Sequence, residues 1–289
     1  MSLQSELELL KAVPVARDID GRWWHMPIEG QHVFLAGRTG GGKNSFTWSL
    51  VLRLAPAWRA GLVQFWGLDP KRVELAIGRG WWDFYADTDE DMVGLLEQCV
   101  VDMQARMAHM QGVRRCFMPS LETPLNVIII DEMAYLSFYM ADKRLRERAD
   151  KAVRTLLSQG RAPGYAVVAA VQDARVEVCG YRNMFPLRIA GGLNEAKQVD
   201  MVLGEGMHEA GALCENIPLG REGAGVAYVL DAERMMKPRM VRAPWCSDDT
   251  IKRVLASIPA KAVEVSQDVK DEPLDIQAQS QQVWLHSVE

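Results

Sequence analysis

Apolar positions along the chain fall into two rhythms, and their alternation predicts the fold. Short, nearly unbroken apolar runs at His32–Ala36, Leu62–Leu68, Asn126–Ile130, Tyr165–Val171 and Leu187–Ala190 have the length and flanks of buried strands. Between them, Asn44–Leu54 (Phe46, Leu50, Val51, Leu54), Met92–Met110 (Leu95, Leu96, Cys99, Val100, Met103, Met107, Met110) and Lys143–Gln159 carry helical spacing. Buried strands alternating with amphipathic helices predict an α/β fold with a mainly parallel sheet covered on both faces. A short helix at Ser2–Ala12 and a hairpin turning at Asp18–Gly21 precede this pattern, and strands at Gly225–Leu230 and Pro238–Val241 follow it as a late antiparallel addition. The expected organisation is a lead-in over 1–30, an α/β domain over 31–257 and a polar, acidic, flexible tail over 258–289, with Val283–Leu285 a docking peptide within it.

Composition changes this picture little: 48% hydrophobic and 25% charged residues describe an ordinary globular chain. Five scattered cysteines form no Cys-x-x-Cys pair and read as reduced thiols. No membrane span or secretion signal is recognisable, so the expected location is cytoplasmic, with membrane association only through a partner. Charge is informative in its distribution. Residues 258–289 hold two lysines against six carboxylates, a balance of −4, which leaves only −1 of the chain's −5 for residues 1–257. Within that body, Asp142–Arg161 holds seven basic and three acidic residues. That balance fits a solvated helix face and also a nucleic-acid contact.

The chemistry begins at Gly37-Arg38-Thr39-Gly40-Gly41-Gly42-Lys43, which follows an apolar strand and opens a helix. Glycines let a loop wrap a polyphosphate with its backbone N–H groups, and the lysine reaches the β and γ phosphates. ATP with Mg²⁺ is the expected ligand. The hydroxyl residue usual after the lysine, a Mg²⁺ ligand, is replaced by Asn44, with Ser45 next; either can serve a hard ion. At the end of the strand Val127–Ile130, Asp131 is placed to hold the Mg²⁺ shell and Glu132 to polarise the attacking water. Gln172 ends the following strand, where an amide can sense the γ-phosphate. The class is a RecA-like P-loop NTPase.

Several stretches resemble the motor domain of FtsK/SpoIIIE-type DNA translocases: His32–Lys43, Leu68-Asp69-Pro70-Lys71 with Glu74, Ile130-Asp131-Glu132, Gly160–Gly164 with Gln172, and Pro186–Ala190. Val13–Gly30 and Trp48-Ser49-Leu50 look most like the actinobacterial TraB-type conjugative DNA pumps. The resemblance implies an ATPase acting as a homohexameric ring on double-stranded DNA. A neighbouring subunit then supplies an arginine to the γ-phosphate, for which Arg161 and Arg188 are the matching candidates. Pore loops bearing Lys143, Arg144 and Arg146, or Arg175 and Arg182, are the expected DNA contacts. Asp173-Ala174 stand where the family shows Arg-Pro, and neither a membrane anchor nor a winged-helix DNA reader is recognisable. Sequence-directed loading is therefore expected from a partner protein. A secretion or coupling ATPase that moves protein or single-stranded DNA, and a nucleotide-binding scaffold, remain the alternatives.

Overall fold

The computed structural model describes residues 3–172, 174 and 180–257. Residues 258–289, on which the expected flexible tail and docking peptide fall, lie outside the described residues, as does Arg175. The elements, in chain order, are α1 (Leu3–Lys11), β1 (Val13–Asp18), β2 (Trp23–Met26), β3 (Val33–Ala36), α2 (Lys43–Arg59), β4 (Val63–Leu68), β5 (Phe84–Ala86), α3 (Asp89–Met110), β6 (Leu125–Ile130), α4 (Lys143–Gln159), β7 (Tyr165–Val171), β8 (Leu187–Ala190), α5 (Ala196–Leu203), β9 (Val226–Asp231), β10 (Arg239–Arg242) and α6 (Asp248–Ser257).

One ten-stranded sheet runs in the order β2-β1-β10-β9-β8-β3-β7-β6-β4-β5. From β8 to β5 every pairing is parallel; from β8 through β9, β10 and β1 to β2 every pairing is antiparallel. The parallel half carries the continuous apolar runs because both of its faces are covered. On one face Phe34, Trp66, Ile128 and Ile130 pack with Leu96 and Met103 of α3 and Val153 and Leu156 of α4. On the other, Leu35, Phe65, Val127 and Ile129 pack with Phe46, Leu50 and Leu54 of α2. Trp66 is held from two sides: it stacks on Phe84 at 4.0 Å between centroids, and its indole donates to Asn126 Oδ1 at 2.9 Å. Such a pair contributes about 0.5–1.5 kcal/mol beyond its burial.

Helix ends follow local chemistry. Thr88 caps α3 by accepting from Asp91 N, ahead of three acidic residues that favour the positive end of the helix dipole. That cap starts α3 three residues before the apolar stripe. Helix α2 outruns its expected end and passes through Pro56 to Arg59, because Ala57 and Trp58 are buried there and the Trp58 indole donates to Asp83 at 2.9 Å. Asp142 caps α4 by accepting from the amides of Arg144 and Leu145. The hairpin of β1 and β2 joins the sheet through β10. Among the described residues, no helix is long and apolar enough to cross a membrane.

Candidate nucleotide-binding site

In a parallel sheet, ligands gather beyond the carboxyl ends of the strands. β3, β7, β6 and β4 lie side by side, and all four deliver chemistry there. The phosphate loop follows β3, Gln172 follows β7, Asp131 and Glu132 follow β6, and Asp69 to Glu74 follow β4. β7 thus separates the strand of the phosphate loop from the strand of the acidic pair, as in RecA-like motors.

The loop is pinned by backbone bonds: Gly37 N donates to Val171 O at 3.1 Å, and Arg38 N to Gly192 O at 2.8 Å. Gly42, at φ 83°, is the residue from which α2 springs. Lys43 is buried, and its ammonium donates to the carbonyls of Gly37 and Arg38. Burial lowers its pKa to about 8, against the pull of Glu132 and Asp131. Asp131 is raised to about 7, chiefly by burial and then by the charge of Asp69. Glu132 is ion-paired through Oε2 to Lys71 Nζ at 3.2 Å.

Thr39 to Lys43, Asn44, Ser45 and Gln172 line one cavity of about 220 Å³. Thr39 Oγ1 donates to Gln172 Oε1 at 3.3 Å, so the phosphate loop and the end of β7 are linked directly. Asn44 is exposed in this cavity while Ser45 is buried. Arg38 instead turns outward from the cradle, donating to Leu193 O and Ile217 O, and ties the loop to the segment beyond β8.

The remaining sequence candidates lie elsewhere. Arg161 precedes β7, at the opposite end of the sheet, where it makes paired bonds to Glu233 at 2.7 and 2.9 Å and donates to Gly30 O. Arg188 lies within β8, buried, donating to Phe185 O and Leu203 O; burial lowers its pKa to about 10. Arg182 donates to Asp200 O and Met201 O near the end of α5. Lys143 and Arg144 are exposed at the start of α4, and Arg146 donates to Met140 O at 2.8 Å.

Two groups of residues carry no site role that the sequence assigned. Trp48, Glu74, Trp245, Cys246, Asp248 and Ile251 form the far wall of the cavity. Nothing in the sequence marks Trp245 or Asp248, which arrive through the fold alone. Lys71 and Asp69 belong to a motif that was visible but carried no assigned role.

Magnesium in phosphate sites is held by one or two carboxylates together with substrate phosphates and water. A single carboxylate at Asp131 beside a buried lysine fits that pattern. Among the described residues there is no cluster of three or more His, Cys, Asp or Glu that would form an all-protein cage.

Fold and candidate site together define an α/β P-loop protein of the RecA-like fold class. Residues 12–116 match the model of the FtsK/SpoIIIE family. The DNA translocase FtsK of Corynebacterium efficiens is 25% identical over 276 residues, which cover 86% of this chain and 28% of that protein. Its counterpart from Corynebacterium glutamicum is 24% identical over 269 residues, covering 84% and 28%. The matched region is thus little more than a quarter of the length of these relatives. This chain is therefore similar to the FtsK/SpoIIIE family over residues 12–116 and to part of these translocases over most of its length. Solved structures share its fold. The pCW3 conjugation coupling protein TcpA, in its monomer form with ATPγS, aligns at a TM-score of 0.71 and 19% identity over 89% of this chain and 73% of that one. The cytoplasmic domain of the Thermomonospora curvata type VII secretion ATPase EccC aligns at 0.66 and 18% identity over 87% and 32%.

Proposed function

We propose that the chain is an ATP-driven double-stranded DNA translocase working as a homohexameric ring. The observation that carries this reading is the shared cavity of phosphate loop and Gln172, with Asp131 and Glu132 one strand further along. The likeness to relatives named DNA translocases supports the choice of substrate. Backbone amides of Gly40 to Lys43 and the Lys43 ammonium would hold the polyphosphate, and Asp131, with Asn44 or Ser45, would hold a Mg²⁺ that supplies charge neutralisation when bound. Glu132 takes a proton from the attacking water, and Gln172 carries the state of the site to the phosphate loop through Thr39.

Arg161 suits the role of the arginine given to a neighbour, because it stands at the end of the sheet opposite its own phosphate loop. Arg188 reaches such a role only by leaving its two carbonyl partners. Lys143, Arg144 and Arg146 crowd the first turn of α4, where cations oppose the helix dipole, and only the Asp142 cap and Glu147, 3.7 Å from Lys143, offset them. Bound phosphates would offset that arrangement, so these three are the leading DNA contacts, ahead of Arg182, which is engaged at α5, and of Arg175. Loading at particular sequences, or at a membrane, is assigned to a separate partner protein, with the motor itself in the cytoplasm.

The test is steady-state ATP turnover with and without long duplex DNA at low salt. Stimulation of at least about tenfold, the rate equivalent of about 1.4 kcal/mol, is expected. Turnover indifferent to duplex DNA refutes the reading. Stimulation by single strands or by a protein substrate instead selects a coupling or secretion ATPase, the reading that the structural likeness to TcpA and EccC favours second. Tight ATP binding with no phosphate release leaves a scaffold.

Asn44 gives a second measurable expectation. Asn44→Ser restores a hydroxyl at an exposed cavity position beside Ser45, so turnover is held or raised by up to about tenfold. A clear fall would make the Asn44 amide itself the metal ligand.

A further inference from the structure

At the end of β4 the chain makes a tight turn whose construction exceeds what a connection needs. Asp69 is fully buried, and its Oδ2 accepts from the amides of Leu75 and Ala76 at 3.0 Å each and from the Tyr85 hydroxyl at 3.3 Å. Arg72 N closes the turn on Asp69 O at 3.0 Å, and Arg72 itself lies at φ 57°. It is the one non-glycine residue at positive φ among those described. Its guanidinium is anchored on Asp87 O at 3.0 Å. Strained backbone of this kind persists only where surroundings hold it, and it concentrates at functional sites.

What this turn presents is Lys71. The leucine that ends β4 is registered against Ile130, the last residue of β6, so the turn stands beside the acidic pair. Lys71 Nζ meets Glu132 Oε2 at 3.2 Å; the lysine side chain is 41% exposed and the glutamate side chain 6%. The second oxygen, Glu132 Oε1, is buried and has no hydrogen-bond partner among the described residues. A buried carboxylate with one oxygen tied and the other unsatisfied is costly unless that oxygen has a task. Neither Lys71 nor Glu132 lines the cavity of the glycine-rich loop, whose own lysine is Lys43.

We infer that Lys71 is a positioning residue for ATP hydrolysis: held on the Asp69–Arg72 turn, it ties Glu132 Oε2 and leaves Oε1 as the oxygen that accepts the proton of the attacking water. The inference rests on the ATPase reading of the site and assigns a role to the Asp-Pro-Lys motif. In the step it serves, the water oxygen bonds to the γ-phosphorus and the bond from phosphorus to the β–γ bridging oxygen breaks. ADP leaves with that electron pair, and the water proton passes to Oε1. Lys71 touches none of these atoms and exchanges no proton.

The experiment compares wild type, Lys71→Met, Lys71→Arg and Arg72→Gly by steady-state ATP turnover, with thermal melts to confirm folding. Lys71→Met is expected to lower kcat roughly 10- to 100-fold, the range that misplacement of a reacting group produces. KM for ATP stays within about twofold, and Lys71→Arg restores most of the rate. Placed on Glu132→Gln, Lys71→Met adds less than about a twofold further loss, since it acts only through Glu132. Arg72→Gly keeps the Lys71–Glu132 pair and loosens only the turn, so kcat falls with KM unchanged; it also carries the test if Lys71→Met fails to fold. Unchanged kcat in Lys71→Met and Arg72→Gly overturns the inference. So does a raised KM at constant kcat, which would make Lys71 a phosphate ligand, or a raised kcat, which would make it a brake. A wild-type protein without turnover sinks the ATPase reading and this inference with it; turnover in wild type matched by Lys71→Met sinks the inference alone.

Discussion

Glu132→Gln should lower kcat for ATP by about 10²- to 10⁴-fold, the range that proton transfer by a positioned side chain contributes, while ATP still binds. The substitution keeps the volume of a side chain that is 6% exposed and keeps an oxygen able to accept from Lys71 at Oε2. What it removes is the basic Oε1, the buried oxygen that no described residue satisfies. The cradle on β3 is one strand beyond β7 and is left intact. Stability should change little, because relieving the repulsion on the buried Asp131 is offset by losing the attraction of Glu132 for the buried Lys43. Lys71, whose head is half-exposed, loses its counter-charge at little cost. Phosphate release and equilibrium binding of a fluorescent ATP analogue separate the two effects. Turnover within a few-fold of wild type would remove Glu132 from the chemistry; lost binding would mean that it holds the nucleotide instead.

The parallel half of the sheet was legible because a strand buried on both faces needs a nearly continuous apolar run, and β6, β7 and β8 supply one each, broken only by Asn126 and Arg188, with Gly, Pro or acidic residues at their ends. The glycine-rich loop after β3 was legible for a different reason: its left-handed positions at Gly40 and Gly42 leave few residue types able to take the backbone shape. The cavity's far wall was not legible. Trp245 and Asp248 lie about 200 residues from Lys43 in sequence, and only the antiparallel return through β9 and β10, followed by α6, carries them across the start of α2. Nor did charge patterning disclose that Arg38, inside the phosphate motif, braces the loop rather than lining its cavity, since its partners are two main-chain carbonyls with no sequence signature. Lys71 falls between these cases. Its motif stood out, but its role depends on β4 pairing with β6, a neighbourhood that local patterns do not specify.

That dependence on backbone neighbours also sets the second large effect. Gly42→Ala should weaken ATP binding by about 10²-fold, the equivalent of losing one or two charge-assisted hydrogen bonds. Gly42 sits at φ +83°, and a Cβ built on it would fall 2.0 Å from Gly225 N and 2.6 Å from Gly225 Cα. Those atoms are main chain and cannot rotate aside, and behind them Gly225 is itself closed in: its own Cβ position lies 2.4 Å from Ala243 O. Ala243 N donates to Gly225 O at 2.9 Å, so the loop, the start of β9 and the end of β10 are stacked backbone on backbone. The phosphate loop has to move, and the amides and Lys43 move with it. Gly40→Ala is the informative comparison. Gly40 has a similar φ, +74°, but its Cβ position meets no protein atom within 4 Å. It should carry only the left-handed backbone cost of about 1–2 kcal/mol. Melting temperatures therefore should fall modestly for Gly40→Ala and further for Gly42→Ala. Equal melting shifts, or ATP affinity unchanged in Gly42→Ala, would mean that the contact with Gly225 does not set the shape of the cradle.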